Sequence, residues 1–306
     1  VIVEPLDPSH GNTTIEITLP EDATGNATLT VDGKNYTVPV VDGVAIFELG
    51  NDLPTGDYNF TVTYNGDNNY QPVSKRGNIT VTKGDIDPED VIVEPLDPSH
   101  GNTTIEITLP EDATGNATLT VDGKNYTVPV VNGAAIFELG NNLTAGEHNF
   151  TVIYNGDNNY DPVSKSGNIT VEKGTIEPSN TITVNVTTEN ITVFADLPSD
   201  ATGSVIVNGT NYTITLVDGK GNITIPTTPG EYDLMVNYTG DNNYNGFVNS
   251  TKVIVPEPVA FIAPNVTLYY KNGTQFIVSF KYGNGTGISG EKVAITINGG
   301  TYNRVT

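Results

Sequence analysis

The chain has 306 residues with neither cysteine nor tryptophan, and 36 acidic against 13 basic side chains give a formal net charge of -23 at pH 7. A surface of that sign repels phosphate backbones, which argues against nucleic acid as a partner, and the lack of thiols excludes a disulfide scaffold. No run approaches the roughly twenty apolar residues that span a bilayer, so no membrane insertion by these residues is expected.

In chain order, apolar residues first alternate with polar ones at Ile15, Ile17 and Leu19, set against Thr14, Glu16 and Thr18. The same period of two returns in Ala27, Leu29 and Val31, then in Tyr36, Val38 and Val40. It is clearest in Tyr58, Phe60, Val62 and Tyr64, and Ile79 and Val81 close the series. Such alternation is the mark of strands with one buried face. Asp32-Gly33 and Asp42-Gly43 fall between these runs and predict two-residue hairpin turns, because such turns need positive φ. Tyr58, after Gly56, opens the penultimate run as the tyrosine of a tyrosine corner would, with its hydroxyl bonded back to upstream backbone.

From Val91 the whole pattern begins again: residues 1–86 and 91–176 differ at twelve of 86 positions. A period of ninety suits one complete sandwich per repeat better than a solenoid unit that cannot fold alone. In the second copy His148 stands at the corner position, which predicts an altered corner and the least stable of the repeats. A third, diverged copy is anchored by Asp200-Ala201-Thr202-Gly203 and by Gly240-Asp241-Asn242-Asn243-Tyr244, and it restores the corner with Tyr232. Asn208-Gly209 and Asp218-Gly219 repeat the turn signals of Asp122-Gly123 and Asn132-Gly133. Beyond Pro256 the pattern changes, with strand-like runs at Val266 to Tyr270, Phe276 to Phe280 and Val293 to Ile297, too few for a sandwich.

The expected architecture is therefore all-β: tandem immunoglobulin-like antiparallel β-sandwich domains in an extended array. A closed barrel is the weaker choice. The domains are expected at 1–84, 91–174 and 181–255, with a partial repeat of a second type at 259–306. Pro88, Pro178, Pro256 and Pro258 limit the freedom of the short linkers between them.

A Gly-x-Tyr strand start followed by Tyr-x-Gly-Asp-x-x-Tyr (Tyr64 to Tyr70, Tyr154 to Tyr160, Tyr238 to Tyr244) resembles the bacterial-type Ig-like repeats of large surface adhesins. The Asn- and Thr-rich style is similar to the adhesin-like proteins of methanogenic archaea. The last piece resembles a second Ig-like repeat type of the same proteins, through Tyr269 to Thr274 and Ile297-Asn298-Gly299. The resemblance implies structural roles for Tyr58, Tyr64, Tyr70, Tyr154, Tyr160, Tyr232, Tyr238 and Tyr244. It also implies a non-catalytic stalk or spacer outside the cell, on its surface, holding a binding region away from the envelope. The ligand on another cell would then be bound by regions other than these; the proline-limited linkers, for their part, favour a monomeric rod. Two alternatives stand beside it: a glycan- or protein-binding module, and a self-associating envelope or filament subunit.

Little in the chain could perform catalysis. His10 and His100 are one position copied twice, and His148 replaces a structural Tyr. Calcium is the one cofactor with a candidate site. The last inter-strand loop of the second repeat, with Asp157, Asn158 and Asn159, is expected to approach the preceding linker, where Asp85, Asp87, Glu89 and Asp90 supply hard oxygen ligands. The competing reading makes Gly-Asp-Asn-Asn a turn whose side chains bond local backbone. Twenty-one Asn-x-Thr/Ser sequons mark candidate glycosylation sites, among them Asn35, Asn59, Asn78, Asn125, Asn149, Asn168 and Asn237. A strand that alternates outward Asn, inward apolar and outward Thr also spells a sequon by default.

Overall fold

The computed structural model describes residues 1–209, 211–262, 277–297 and 299–306. They fall into two units, Val1–Glu172 and Lys173–Thr306.

The first unit holds two copies of one β-sandwich. In the first copy the strands are β1 (Ile2–Asp7), β2 (Thr13–Thr18), β3 (Asn26–Val31), β4 (Lys34–Pro39), β5 (Val44–Gly50), β6 (Gly56–Tyr64) and β7 (Val73–Val81). One antiparallel sheet has the order β1-β2-β5 and the other β4-β3-β6-β7. The second copy repeats them as β8 (Ile92–Asp97), β9 (Thr103–Thr108), β10 (Asn116–Val121), β11 (Lys124–Pro129), β12 (Ala134–Gly140), β13 (Gly146–Tyr154) and β14 (Val163–Val171), with the same strand orders. The alternating residues of both sheets meet in one core per repeat. Ile15 and Ile17 of β2 and Phe47 of β5 pack with Leu29 of β3, Val62 and Tyr64 of β6 and Ile79 of β7. Each large apolar side chain so buried contributes about 1.5–3 kcal/mol, and the core assembles without a disulfide.

Turn chemistry follows the sequence with one change. Asp32 and Gly33 (φ 50° and 74°) join the paired strands β3 and β4, as expected. Asp42 and Gly43 also take positive φ (49° and 73°), but β4 and β5 lie in different sheets. After the single Val41–Val44 bridge, Gly43 passes against β2: its carbonyl accepts the Leu19 amide at 2.7 Å. A Cβ at Gly43 would sit 2.5 Å from the Pro20 oxygen, so the crossing needs glycine. Gly133 repeats this crossing, meeting Leu109 and Pro110 in the same way.

The second unit opens on one helical turn, α1 (Pro178–Thr181), with proline in its first turn. Its sandwich comprises β15 (Ile182–Val186), β16 (Asn190–Asp196), β17 (Ser204–Val207), β18 (Tyr212–Thr215), β19 (Lys220–Pro226), β20 (Gly230–Tyr238) and β21 (Phe247–Val255), in the orders β15-β16-β19 and β18-β17-β20-β21. Two hairpin-like pairs follow: β22 (Val259–Ile262) with β23 (Ser279–Tyr282), and β24 (Lys292–Ile297) with β25 (Gly300–Val305). Of the strand runs expected here, Val293 to Ile297 lies within β24. The run at Val266 to Tyr270, the Tyr269 to Thr274 motif, Phe276 and Asn298 lie outside the described residues.

Candidate functional site: the joint between repeats

The most elaborate polar arrangement lies where the first repeat meets the second. It begins at Asp7, whose carboxylate accepts the Ser9 amide at 2.8 Å and ends β1. The chain then leaves the β1 sheet. The Thr82 amide donates to the Pro8 carbonyl and the His10 amide to the Thr82 carbonyl, a short parallel bridge to the end of β7. His10 is thereby carried to the pole of the sandwich and buried, with 2% of its surface exposed.

Both its ring nitrogens face acceptors. Nδ1 lies 2.8 Å from the Leu53 carbonyl, within the repeat, and Nε2 lies 2.8 Å from Asp112 Oδ2, in the next one. The imidazole thus ties the backbone of its own repeat to a carboxylate of the next. Tyr160 completes the cluster: its hydroxyl donates to Asp112 Oδ1 at 2.8 Å and its ring meets the imidazole edge-on, centroids 5.1 Å apart. Burial works to raise the Asp112 carboxyl, but the bonds from His10 and Tyr160 outweigh it and hold the group below the ordinary carboxylate range.

Backbone closes the rest of the joint. The Gly84 amide donates to the Asn159 carbonyl at 2.9 Å, and the Asp161 amide to the Gly84 carbonyl at 3.0 Å. Lys83 Nζ donates to the Asp157 carbonyl, and the Thr55 amide to Asn159 Oδ1 at 3.1 Å. Ile86 of the linker is buried in the second repeat's core, so the connection is packed as well as bonded. Within the second unit the pattern recurs. Gly174 donates to the Asn243 carbonyl at 2.8 Å and accepts the Asn245 amide at 2.9 Å, and Lys173 donates to the Asp241 carbonyl.

The β13–β14 loop can receive this end because Asp157 organises it. Its Oδ2 accepts the Thr114 amide and hydroxyl, both at 2.7 Å, and its Oδ1 accepts the Asn159 and Tyr160 amides, both at 2.8 Å. Burial works against the charge, yet the bonds from Thr114, Tyr160 and Asn159 prevail and carry the carboxyl down to about 2. Asp67 and Asp241 hold the same bonds in their repeats and are likewise depressed. Because the folded value of Asp157 lies below the unfolded value of about 3.9, its contribution is complete above about pH 4. It is lost as pH falls toward 2. Acid titration followed by hydrogen exchange should show the Asn159 and Tyr160 amides losing protection in that window, ahead of the β13 strand.

The loop does approach the preceding linker as the sequence suggested, but through backbone. Asp85, Asp87 and Glu89 are exposed, Asp87 accepts the Glu89 amide at 2.9 Å, and Asp157 is committed to its own loop and Thr114. Among the described residues no three His, Cys, Asp or Glu side chains are grouped to hold a metal. Asn158 is exposed at the loop tip. Of the sequon asparagines, Asn35, Asn59, Asn78, Asn125, Asn149 and Asn168 are exposed, and Asn237 is half-buried.

The tyrosines divide among three tasks. Tyr58 and Tyr232 make corners, donating to the carbonyls of Pro54 at 2.9 Å and Thr228 at 2.8 Å. Tyr64, Tyr154 and Tyr238 are core residues, while Tyr70, Tyr160 and Tyr244 lie in the loops at the pole. His148 keeps the corner in the second repeat. Its Nε2 lies 2.7 Å from the Thr144 carbonyl and Nδ1 lies 2.8 Å from Asp122 Oδ2, so the premise for a weakened repeat falls away. His148→Phe, which removes both bonds, is expected to cost the second repeat about 1–2 kcal/mol, and His148→Tyr less than about 1 kcal/mol. Urea unfolding read by exchange of the β13 amides checks this.

Sequence reasoning missed His10 and the Lys-Gly pairs as joint residues. The signal was present: His10 recurs as His100, and Lys83-Gly84 and Lys173-Gly174 each precede a linker.

Residues 93–172 match the family model of the bacterial Ig-like domain (group 3). No curated protein matches the chain. Among solved structures, one from work on a 1.5-MDa bacterial ice-binding adhesin is 14% identical, covering 83% of this chain and 97% of its own, with a TM-score of 0.27. The chicken interferon gamma receptor alpha chain is 9% identical over 56% of this chain and 97% of its own, with a TM-score of 0.36. The FN1–FN3 domains of chicken CNTN1 are 9% identical over 83% of this chain and 98% of their own, with a TM-score of 0.32. At such values the likenesses say nothing of function.

Proposed function

We propose that the chain is a non-catalytic spacer of an adhesin-like protein, outside the cell and at its surface, carrying a binding region of that protein away from the envelope. The observation that carries the reading is the recurrence of one pairing between a Lys-Gly segment and a loop. A Lys-Gly strand end enters the Gly-Asp-Asn-Asn-Tyr loop in the same register at Gly84 and Tyr160 and again at Gly174 and Tyr244. A joint made mainly of backbone, with a Lys-Gly end shared by the first two copies and a Gly-Asp-Asn-Asn-Tyr loop shared by all three, lets units be added or lost without redesign.

The same feature disfavours a lectin-like role for the second repeat's loop, because the first repeat occupies the groups a ligand would use. His10 and His148 are committed to structural bonds, and His100 Nδ1 lies 2.6 Å from the Leu143 carbonyl, which supports a protein without catalytic chemistry. Exposed sequons, Asn59 and Asn149 among them, suit N-linked glycans in the native host. The ligand on another cell is assigned to other regions of the protein.

Light scattering and small-angle scattering over a concentration series test the reading. A spacer keeps the monomer mass and constant dimensions at all concentrations. Growth with concentration would favour a filament or envelope subunit and overturn it.

A further inference from the structure

The pole of the first repeat carries the receiving groups that the second repeat uses, already assembled. Tyr70 donates to Asp22 Oδ1 at 2.7 Å, as Tyr160 does to Asp112. Asp67 accepts the Thr24, Asn69 and Tyr70 amides, each at 2.7 Å, and its own amide donates to the Tyr70 carbonyl at 2.9 Å. The corresponding bonds of Asp157 hold the second repeat's loop. The difference is exposure. Tyr160 is buried at 5% exposed and Asp112 half-buried, whereas Tyr70 is half-buried and Asp22, Asn69 and Gln71 are exposed.

We infer that this pole of Asp22, Asp67, Asn69 and Tyr70 is a docking site for another Ig-like repeat joined ahead of it in the same polypeptide, one that ends in Lys-Gly and carries a buried histidine in its β1–β2 loop. This deepens the spacer reading and rests on it. The occupant is defined by what the second repeat accepts. The Asn69 carbonyl and Gln71 amide correspond to the pair that Gly84 uses, the Asp67 carbonyl to the lysine's acceptor, and Asp22 Oδ2 to the imidazole's. The second unit receives Lys173 and Gly174 in that register too, so one end chemistry fits both described cases. The terminal glycine is required: a Cβ on Gly84 would run into the His10 carbonyl. Covalent connection is favoured over a second molecule because the joint comprises few bonds, and a short linker makes the encounter intramolecular.

The test extends the full chain with a copy of residues 1–90 fused ahead of Val1 and follows amide exchange at Gln71. Docking predicts that Gln71 exchange slows at least about tenfold, toward that of Asp161, and that Gly84→Val in the added copy abolishes the slowing. Unchanged Gln71 exchange, with Asp161 and Asn245 still protected, overturns the inference. Small-angle scattering of the same extended protein separates the two readings. Lengthening by one increment without Gln71 protection sinks the docking and leaves the spacer, whereas protection in a molecule that grows with concentration sinks the spacer. Protection of Gln71 in the unextended chain on adding calcium alone would also overturn the inference, by giving the pole a different occupant.

Discussion

Asp157→Ala is expected to destabilise the second repeat by about 3 kcal/mol and to undock the first repeat from it. The carboxylate satisfies the Thr114, Asn159 and Tyr160 amides and the Thr114 hydroxyl, and alanine leaves those donors without it. Each partly buried donor so stranded costs about 1 kcal/mol or more, and bonds to a charged acceptor are the stronger kind. The loop they shape presents the Asn159 carbonyl and Asp161 amide to Gly84, so loop and joint should fail together. Asp157→Asn keeps one acceptor oxygen and should lose roughly half as much. Asp67→Ala provides the contrast. It removes the same bonds in the first repeat, whose pole does not receive Gly84, so it should destabilise that repeat while Asp161 stays protected. Hydrogen exchange on the full chain reads both effects; equal loss of Asp161 protection in both variants would count against a local joint.

Gly84→Val should break the same joint from the other side. The Gly84 position lies over the His10 backbone, and an added Cβ would stand 3.2 Å from the His10 carbonyl carbon, closer still to its oxygen, and 3.5 Å from the Tyr160 ring. None of these atoms is the free end of a flexible side chain, so the strand end must shift. Its two backbone bonds to the loop and the His10–Asp112 contact are then lost. Overpacking and the lost bonds together predict about 3 kcal/mol less stability at the joint. Gly33→Ala is the control for backbone freedom alone. Its φ of 74° is strained for alanine, but nothing lies within 4 Å of the added Cβ, so about 1 kcal/mol within the first repeat is expected. Exchange of the Asp161 amide should rise in the first variant and stay at the wild-type rate in the second.

Between them the two variants divide the joint into a loop that must be held in shape and a strand end that must be narrow. The acid sensitivity of Asp157 belongs to the first half. Acidification and Asp157→Ala should therefore release the same amides, whereas Gly84→Val leaves the Asn159 and Tyr160 amides bonded to Asp157.

The sequence by itself determined five of the seven strands of the first repeat, though not β1 or β5, together with the Asp32-Gly33 turn and the tyrosine corners. Each is a local matter. The alternation of Ile15 and Ile17 with Thr14 and Glu16 decides which face is buried within one strand. Asp32-Gly33 supplies positive φ within two residues, and Tyr58 reaches a carbonyl only four residues back. His148 was legible as the replacement for that tyrosine, but its sufficiency was not, because Asp122, 26 residues away, supplies its second bond. Only the tertiary structure decided that Asp42-Gly43 crosses between sheets, since the cause is the Leu19 amide and the Pro20 backbone lying against Gly43. It also decided that His10 binds Asp112, 102 residues distant, and that Lys-Gly ends enter Gly-Asp-Asn-Asn-Tyr loops. A periodicity reports how a segment faces its own core; it holds no information about which polar groups two finished domains bring together, because that depends on where each fold places its poles.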